Sequence, residues 1–293
     1  MNEFFHASKW ETAWKEDENT IASKMRIAGI DPARSFDTKA KTFDEQSFNE
    51  EGRRRSKRIM NWLEGQGVRF EASSILDIGA ASGVFTVPFA EHGARITAIE
   101  TSPPLIELLQ DNTADFELGQ VQIVGERFED IDVQARGWKQ AFDLVFVSMC
   151  PVIHDWDSVE KILQCASQFC YLSMPASPAE HSLVKEVWPL LSGQPFHPKH
   201  MVWGYLQHLL YLKGYAYQSL VTRETKTKEI TSAEALQEAM TWLRNHRMPV
   251  DERSQNIVAD YLAQAYPSGK VVIQEGGRFG KVLIRLQDQS MYD

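Results

Sequence analysis

Apolar positions along the chain fall into two alternating periods. Ile75-Leu76-Asp77-Ile78, Ala94 to Ile99, Val121-Gln122-Ile123-Val124, Phe142 to Ser148 and Phe169 to Met174 are short apolar runs, the pattern of parallel strands buried on both faces. Between them the spacing turns helical: Val84 to Ala90, then Leu105, Ile106, Leu108 and Leu109 behind Pro103-Pro104, then Ile162-Leu163 with Ala166. Such alternation predicts an α/β fold with a doubly wound, mostly parallel sheet. Tyr215 to Val221 reads as a sixth strand. Lys270 to Gln274, a glycine turn and Phe279 to Leu286 read as a closing antiparallel pair. Amphipathic helices are expected over Val184 to Leu191, Trp203 to Leu212, Ala233 to Arg244 and Ser254 to Ala265. Residues 1–70 form an N-terminal helical cap in this reading, with Trp10 and Trp14 one turn apart on one face. Residues 71–293 form the main domain, in which 176–214 is a helical insertion on the substrate side.

The first run ends in Gly79-Ala80-Ala81-Ser82-Gly83, a turn of five small residues against which a ligand can lie on bare backbone. The spacing is not the G-x-G-x-x-G of a dinucleotide site. The second run ends on Glu100, where a ribose would offer two hydroxyls. With Asp77 two residues before the first glycine, the stretch resembles the class I S-adenosylmethionine (SAM)-dependent methyltransferases. Asp77, Gly79, Gly83 and Glu100 match their motif, and Ala81 replaces its middle glycine.

That resemblance implies a seven-stranded Rossmann-like sheet and a SAM cofactor, with S-adenosylhomocysteine as product. It implies cofactor contacts from Asp77, Gly79, Ala80, Ala81, Gly83, Glu100, Thr101 and Ser148. Glu126 is implied at the adenine amino group, with Arg127 or Phe128 beside the ring. Ser35 to Asp44 resembles a segment that covers the bound cofactor in many of these enzymes, with Phe36 in place of a tryptophan. His154-Asp155-Trp156 resembles the His-Asp-Trp of plant-type small-molecule O-methyltransferases, where the histidine takes the proton; a helix-start residue is the competing reading. Cys150 stands where arsenite methyltransferases place an essential cysteine, but no cysteine precedes it here, so arsenic chemistry is not expected.

Composition narrows the acceptor. The 293 residues carry a formal charge of −9, a field that repels phosphate backbones. The one dense basic run, Arg53 to Arg58, shares a helix with Ile59, Met60, Trp62 and Leu63 and is read as its solvated face. Three clustered cysteines suit a reducing cytoplasm better than a disulfide framework. Neither a signal peptide nor a membrane span is expected. His197, His200 and His208 lack supporting carboxylate or cysteine spacing, so no metal is expected. The expected function is methyl transfer to a small or medium organic molecule. The alternatives are an RNA methyltransferase and a SAM-binding sensor or scaffold without catalysis. The sequence carries no signal for oligomeric state.

Overall fold

The computed structural model describes residues 3–27, 29–196, 202–246 and 248–288. Two compact units emerge: residues 1–174, 201–220 and 280–293, and residues 175–200 and 221–279. Residues 176–214, expected as one insertion, are thus shared between them.

In the first unit the strands β1 (Ser74–Ile78), β2 (Arg95–Ile99), β3 (Val121–Val124), β4 (Phe142–Ser148) and β5 (Ala166–Pro175) lie in the order β3-β2-β1-β4-β5, followed by the C-terminal part of β8 (Lys270–Arg285). The first five are parallel. Alternate residues feed two cores. Leu76, Ile78, Val145, Val147, Cys170, Leu172, Val282 and Ile284 face one. Ile75, Ile96, Ala98, Leu144, Phe146, Tyr171 and Leu283 face the other. Helices α1 (Ala7–Glu16), α7 (Trp156–Cys165) and α9 (Val202–Leu212) cover the first face. Helices α4 (Glu50–Gly65) and α5 (Thr86–Glu91) cover the second, joined by Leu109 of α6 (Pro103–Thr113); α2 (Ile21–Ile27) and α3 (Ala40–Phe48) precede α4 in the chain. This is the doubly wound fold that the apolar runs predict.

Register positions the site. Ile78 pairs with Ile99 on one side and Val147 on the other, and Ile99 pairs with Val124. Gly79, Glu100, Gly125 and Ser148 therefore leave the sheet at one level. They do so where the chain order reverses beside β1, the crevice in which open α/β sheets bind ligands.

The second unit carries its own core, built from Leu183 and Val187 of α8 (Ser182–Ser192), Ala235, Ala239, Met240 and Leu243 of α10 (Ser232–Asn245), Val258 and Leu262 of α11 (Glu252–Ala265), and Val271 and Ile273. Here the short β6 (Glu180–His181) pairs antiparallel with Glu275 and Gly276 of β8.

Strand count differs from expectation: among the described residues there are eight, not seven. The expected closing hairpin is one continuous strand, β8, alongside the long β7 (Ala216–Thr231). A Cβ on Gly276 would lie 2.0 Å from the Glu224 carbonyl oxygen. Gly276 thus serves a close approach of two backbones, not a turn. Among the described residues no helix is long and apolar enough to cross a membrane.

Candidate cofactor and acceptor site

The turn after β1 is held from below. The Gly79 and Ala80 amides donate to the Ile99 carbonyl at 2.9 and 3.0 Å, and Gly83 N–H donates to the Ala80 carbonyl at 2.9 Å. These amides are spent on bracing the turn, so it offers a ligand shape more than donors. Gly79 has φ 78°, and a Cβ there would stand 2.6 Å from Cys150 Sγ. Both conformation and contact require glycine. Ala81, where the family motif has glycine, is left-handed at φ 51°, which costs an alanine about 1–2 kcal/mol.

Glu100 holds that conformation in place. One carboxylate oxygen accepts from the Ala81 amide at 2.8 Å. The other accepts from the Thr101 and Ser102 amides at 2.7 and 2.9 Å. A carboxylate has about four acceptor positions, so this buried group (8% exposed) keeps one for a ligand hydroxyl. Beside it Ser82 Oγ is fully buried with no hydrogen-bond partner among the described residues. An anchored carboxylate with spare capacity, a small-residue turn and an orphaned hydroxyl fit a ribose-bearing cofactor.

Asp77 lies beneath the turn, 2% exposed, and accepts from Thr86 Oγ1 at 2.7 Å. Burial pushes its carboxyl up from 3.8 to about 7. The sign follows from linkage. Between about pH 4 and about pH 7 the folded chain keeps a proton that the unfolded chain has released, so the Asp77 contribution to stability falls as pH rises through that window. Asp77→Asn keeps the shape and the acceptor for Thr86 and has no proton to lose. Denaturation midpoints of the cofactor-free protein should therefore fall between pH 5 and pH 8 more steeply in wild type than in the variant. Parallel pH profiles would reject this account.

On the adenine side, Glu126 is ion-paired with Arg136 and Arg127 reaches Asp31 at 3.1 Å. Phe128 does not flank the crevice: it is 3% exposed, packed in the core with the Lys161 ammonium 5.3 Å over its ring. Of the two candidates for the ring, only Arg127 is on the surface.

The acceptor side begins at the end of β4. Ser148 Oγ lies 3.1 Å from Ser173 Oγ. Met149, at φ 55°, is 48% exposed. The Cys150 thiol is pushed up to about 12, chiefly by burial, which disfavours the thiolate. His154 Nδ1 lies 2.9 Å from the Val152 carbonyl. A carbonyl can only accept, so Nδ1 carries the proton and Nε2 is the free base nitrogen. Nε2 is 3.7 Å from Asp155 Oδ1. Asp155 N-caps α7 in a capping box with Ser158, and Ser158 Oγ also accepts from the His154 amide at 3.2 Å. His154 thus stands at a helix start and has a free basic nitrogen.

Trp156 and Tyr205 are 2% and 8% exposed and belong to the core. Tyr205 stacks on Trp14, ring centres 6.1 Å apart. Their aromatic surface is used in packing.

Several contacts escape sequence reasoning. Asp37 accepts from Ser102 Oγ at 2.6 Å, beside Glu100. Asn112 donates both to Asp44 and to the Ser82 carbonyl, at 2.9 Å each. With Arg127–Asp31, residues 31–44 are tied to the segments that follow β2 and β3 and, through Asn112, to the turn after β1. The nearest sequence signal is the resemblance of Ser35 to Asp44 to a covering segment.

The basic helix α4 buries Gly52, Ser56, Met60 and Leu63 and leaves Arg53, Arg54, Arg55, Lys57 and Arg58 exposed. His197 and His200 lie outside the described residues; His208 Nε2 bonds to the Phe4 carbonyl at 2.8 Å. Among the described residues, His181, Glu238 and Glu275 of the second unit have the spacing of metal ligands. Lys228 already bridges the two carboxylates at 2.8 and 3.0 Å. His181 Nδ1 accepts from the Val184 amide, which leaves the proton on Nε2, facing Glu238 at 3.0 Å. One lysine already offsets half of the carboxylate charge, and the imidazole turns a donor inward.

Residues 75–170 match the family model described as a methyltransferase domain. Human EEF1A lysine methyltransferase 2 is 30% identical over 102 residues, 34% of this chain and 39% of that protein. The Danio rerio protein of the same name is 31% identical over 87 residues, 29% of this chain and 37% of that protein. The match thus spans less than two fifths of the length of these relatives. The solved structure of YcgJ from Bacillus subtilis is 14% identical and covers 80% of this chain and all of its own, with a TM-score of 0.48. Over residues 75–170, the stretch with the glycine turn and the acid that braces it, the chain is similar to a methyltransferase domain.

Proposed function

We propose that the protein transfers a methyl group from SAM to a small or medium organic acceptor, with His154 as the base that takes the acceptor's proton. The observation that carries this reading is the His154 ring: its Nδ1–H is committed to the Val152 carbonyl, which leaves Nε2 basic. The loop that bears it starts at Cys150, against the glycine turn.

In this reading Glu100 takes a ribose hydroxyl and the turn from Gly79 to Gly83 supports the cofactor, with Asp77 beneath it. Thr101 and Ser148 border the site, and Glu126 and Arg127 lie on the adenine side. Residues 1–70 act as a cap, of which 31–44 is the part anchored to the cofactor elements. When bound, SAM supplies a sulfonium-borne methyl group. The protein's part is to hold the acceptor in line with that carbon and to remove a proton, and positioning supplies much of the rate. The three cysteines are free thiols, which suits a reducing cytoplasm.

A second reading has an observation of its own. The relatives matched over 87–102 residues are named as lysine methyltransferases, and a lysine ammonium must also lose a proton before attack. The acidic net charge speaks against an RNA acceptor.

Label transfer from methyl-tritiated SAM separates these readings. The expected result is incorporation into members of a panel of small hydroxyl, carboxyl and amine acceptors. Label found only in a lysine-bearing protein or only in total RNA would overturn the small-molecule assignment. Tight cofactor binding with no transfer to any of them would point to the sensor or scaffold.

A further inference from the structure

Helix α6 sends a side chain to the N-terminal segment from each of its ends, and each of those residues also holds part of the cofactor cradle. At the start, Ser102 donates its amide to Glu100 at 2.9 Å and its hydroxyl to Asp37 at 2.6 Å. Ser102 is the N-cap residue, yet among the described residues its hydroxyl makes no cap bond. An N-cap hydroxyl ordinarily accepts from the second or third helical amide. Here Pro103 and Pro104 hold the first two positions and have no N–H to give. The hydroxyl is thereby free to reach Asp37. Ten residues on, about 15 Å along the helix axis, Asn112 donates to Asp44 and to the Ser82 carbonyl at 2.9 Å each.

Asn112 is the sharper case. A side-chain amide carries two donor hydrogens on one nitrogen, where a serine hydroxyl has one and an ionised aspartate none. One hydrogen goes to a carboxylate of α3 and the other to the turn from Gly79 to Gly83. The bond to Asp44 is charge-assisted, the stronger kind. The bond to Ser82 fixes the peptide that follows the left-handed Ala81, at φ 51°. The turn is thus braced by Ile99 beneath it, by Glu100 at the Ala81 amide and by Asn112 at the Ser82 carbonyl. The last of these braces is shared directly with α3.

We infer that Asn112 is a positioning residue for the cofactor. By holding Asp44 and the Ser82 carbonyl with one amide, it makes docking of α3 and binding at the turn depend on each other. The inference rests on the reading that SAM lies against that turn. A ligand that steadies the Ser82 peptide steadies Asn112, and through it Asp44. By linkage, an intact Asp44–Asn112 bond raises ligand affinity by the same factor by which the ligand favours the docked segment.

Calorimetry with S-adenosylhomocysteine and hydrogen exchange of residues 40–48 test the clasp together. In wild type the ligand should slow exchange in α3. D44A cuts the α3 arm and leaves Asn112 on Ser82. It should weaken affinity about fivefold or more, the lower end of usual coupling, and abolish the slowing in α3. N112D points a carboxylate at both Asp44 and the Ser82 carbonyl and should cost more. The double variant N112D/D44N exchanges the two groups. The new amide at position 44 can donate to the new carboxylate at position 112, so α3 should regain its protection without ligand. The Ser82 arm stays broken, so affinity should remain low and the ligand should add no protection.

A purely structural Asn112 would lower the denaturation midpoint of these variants and leave affinity alone. Wild-type affinity and wild-type slowing in D44A would overturn the clasp, and so would full recovery of affinity in N112D/D44N. A wild-type chain that binds no S-adenosylhomocysteine would remove the cofactor reading and the clasp together, whereas unchanged affinity in D44A beside intact wild-type binding removes the clasp alone.

Discussion

His154→Gln is expected to lower turnover by about 10²–10⁴-fold, the usual contribution of a positioned general base, with S-adenosylhomocysteine affinity unchanged. The expectation rests on two features of the ring. Its tautomer is set by the 2.9 Å bond from Nδ1 to the Val152 carbonyl. Its backbone is pinned by Ser158, which accepts the His154 amide and closes the capping box of α7. The base nitrogen is thus preorganised, with the Asp155 carboxylate 3.7 Å away. A structural role predicts something different. If the ring mattered only through its bond to Val152, His154→Asn, whose side-chain amide can donate to the same carbonyl, would restore both stability and rate. Recovery of kcat in the asparagine variant would therefore sink the base assignment. Loss of kcat in both variants, with folding and cofactor affinity intact, would support it. The acceptor KM should move little, because the change falls on proton removal.

The parallel strands were legible because strands buried on both faces need uninterrupted apolar runs. β3 and β4 span the same residues as their runs, and β1 begins one residue earlier. β5 starts at Ala166 directly after α7, where Ala166 reads equally well as the next helical position. The second unit was harder to read. β7 runs through Thr222 to Thr231 with most side chains in solvent, so no alternation marks it, and the glycines of β8 imitate a turn. At the site, Glu100 was legible from its place at the end of the second apolar run. Phe128 was not, because a residue just past a strand can turn to the crevice or to the core, and the local sequence does not choose. The ties from Asp37, Asp44 and Asp31 span 65, 68 and 96 residues. They have no local period, and only the fold brings them together.

Glu100→Gln is expected to weaken SAM and S-adenosylhomocysteine binding by roughly ten- to a hundredfold. Hydrogen bonds to a charged group contribute about 1.5–3 kcal/mol, and each 1.4 kcal/mol is a factor of ten. Two effects act in the same direction. The spare acceptor position that suits a ribose hydroxyl loses its charge. The three amides of Ala81, Thr101 and Ser102, which now converge on the two carboxylate oxygens, would meet one carbonyl oxygen and one NH2 group. At least one of them then faces a donor, and the left-handed Ala81 loses a restraint. The variant should therefore also be less stable without ligand. Ala81→Gly separates the contributions. Glycine adopts φ 51° freely, so in the Glu100→Gln background it should recover much of the lost stability, while affinity stays low because the ribose contact is still missing. Calorimetry with S-adenosylhomocysteine and denaturation of the unliganded protein read the two quantities independently. Wild-type affinity in Glu100→Gln would remove the carboxylate from the ribose site. Full recovery of affinity in the double variant would show that Glu100 serves only to shape the turn.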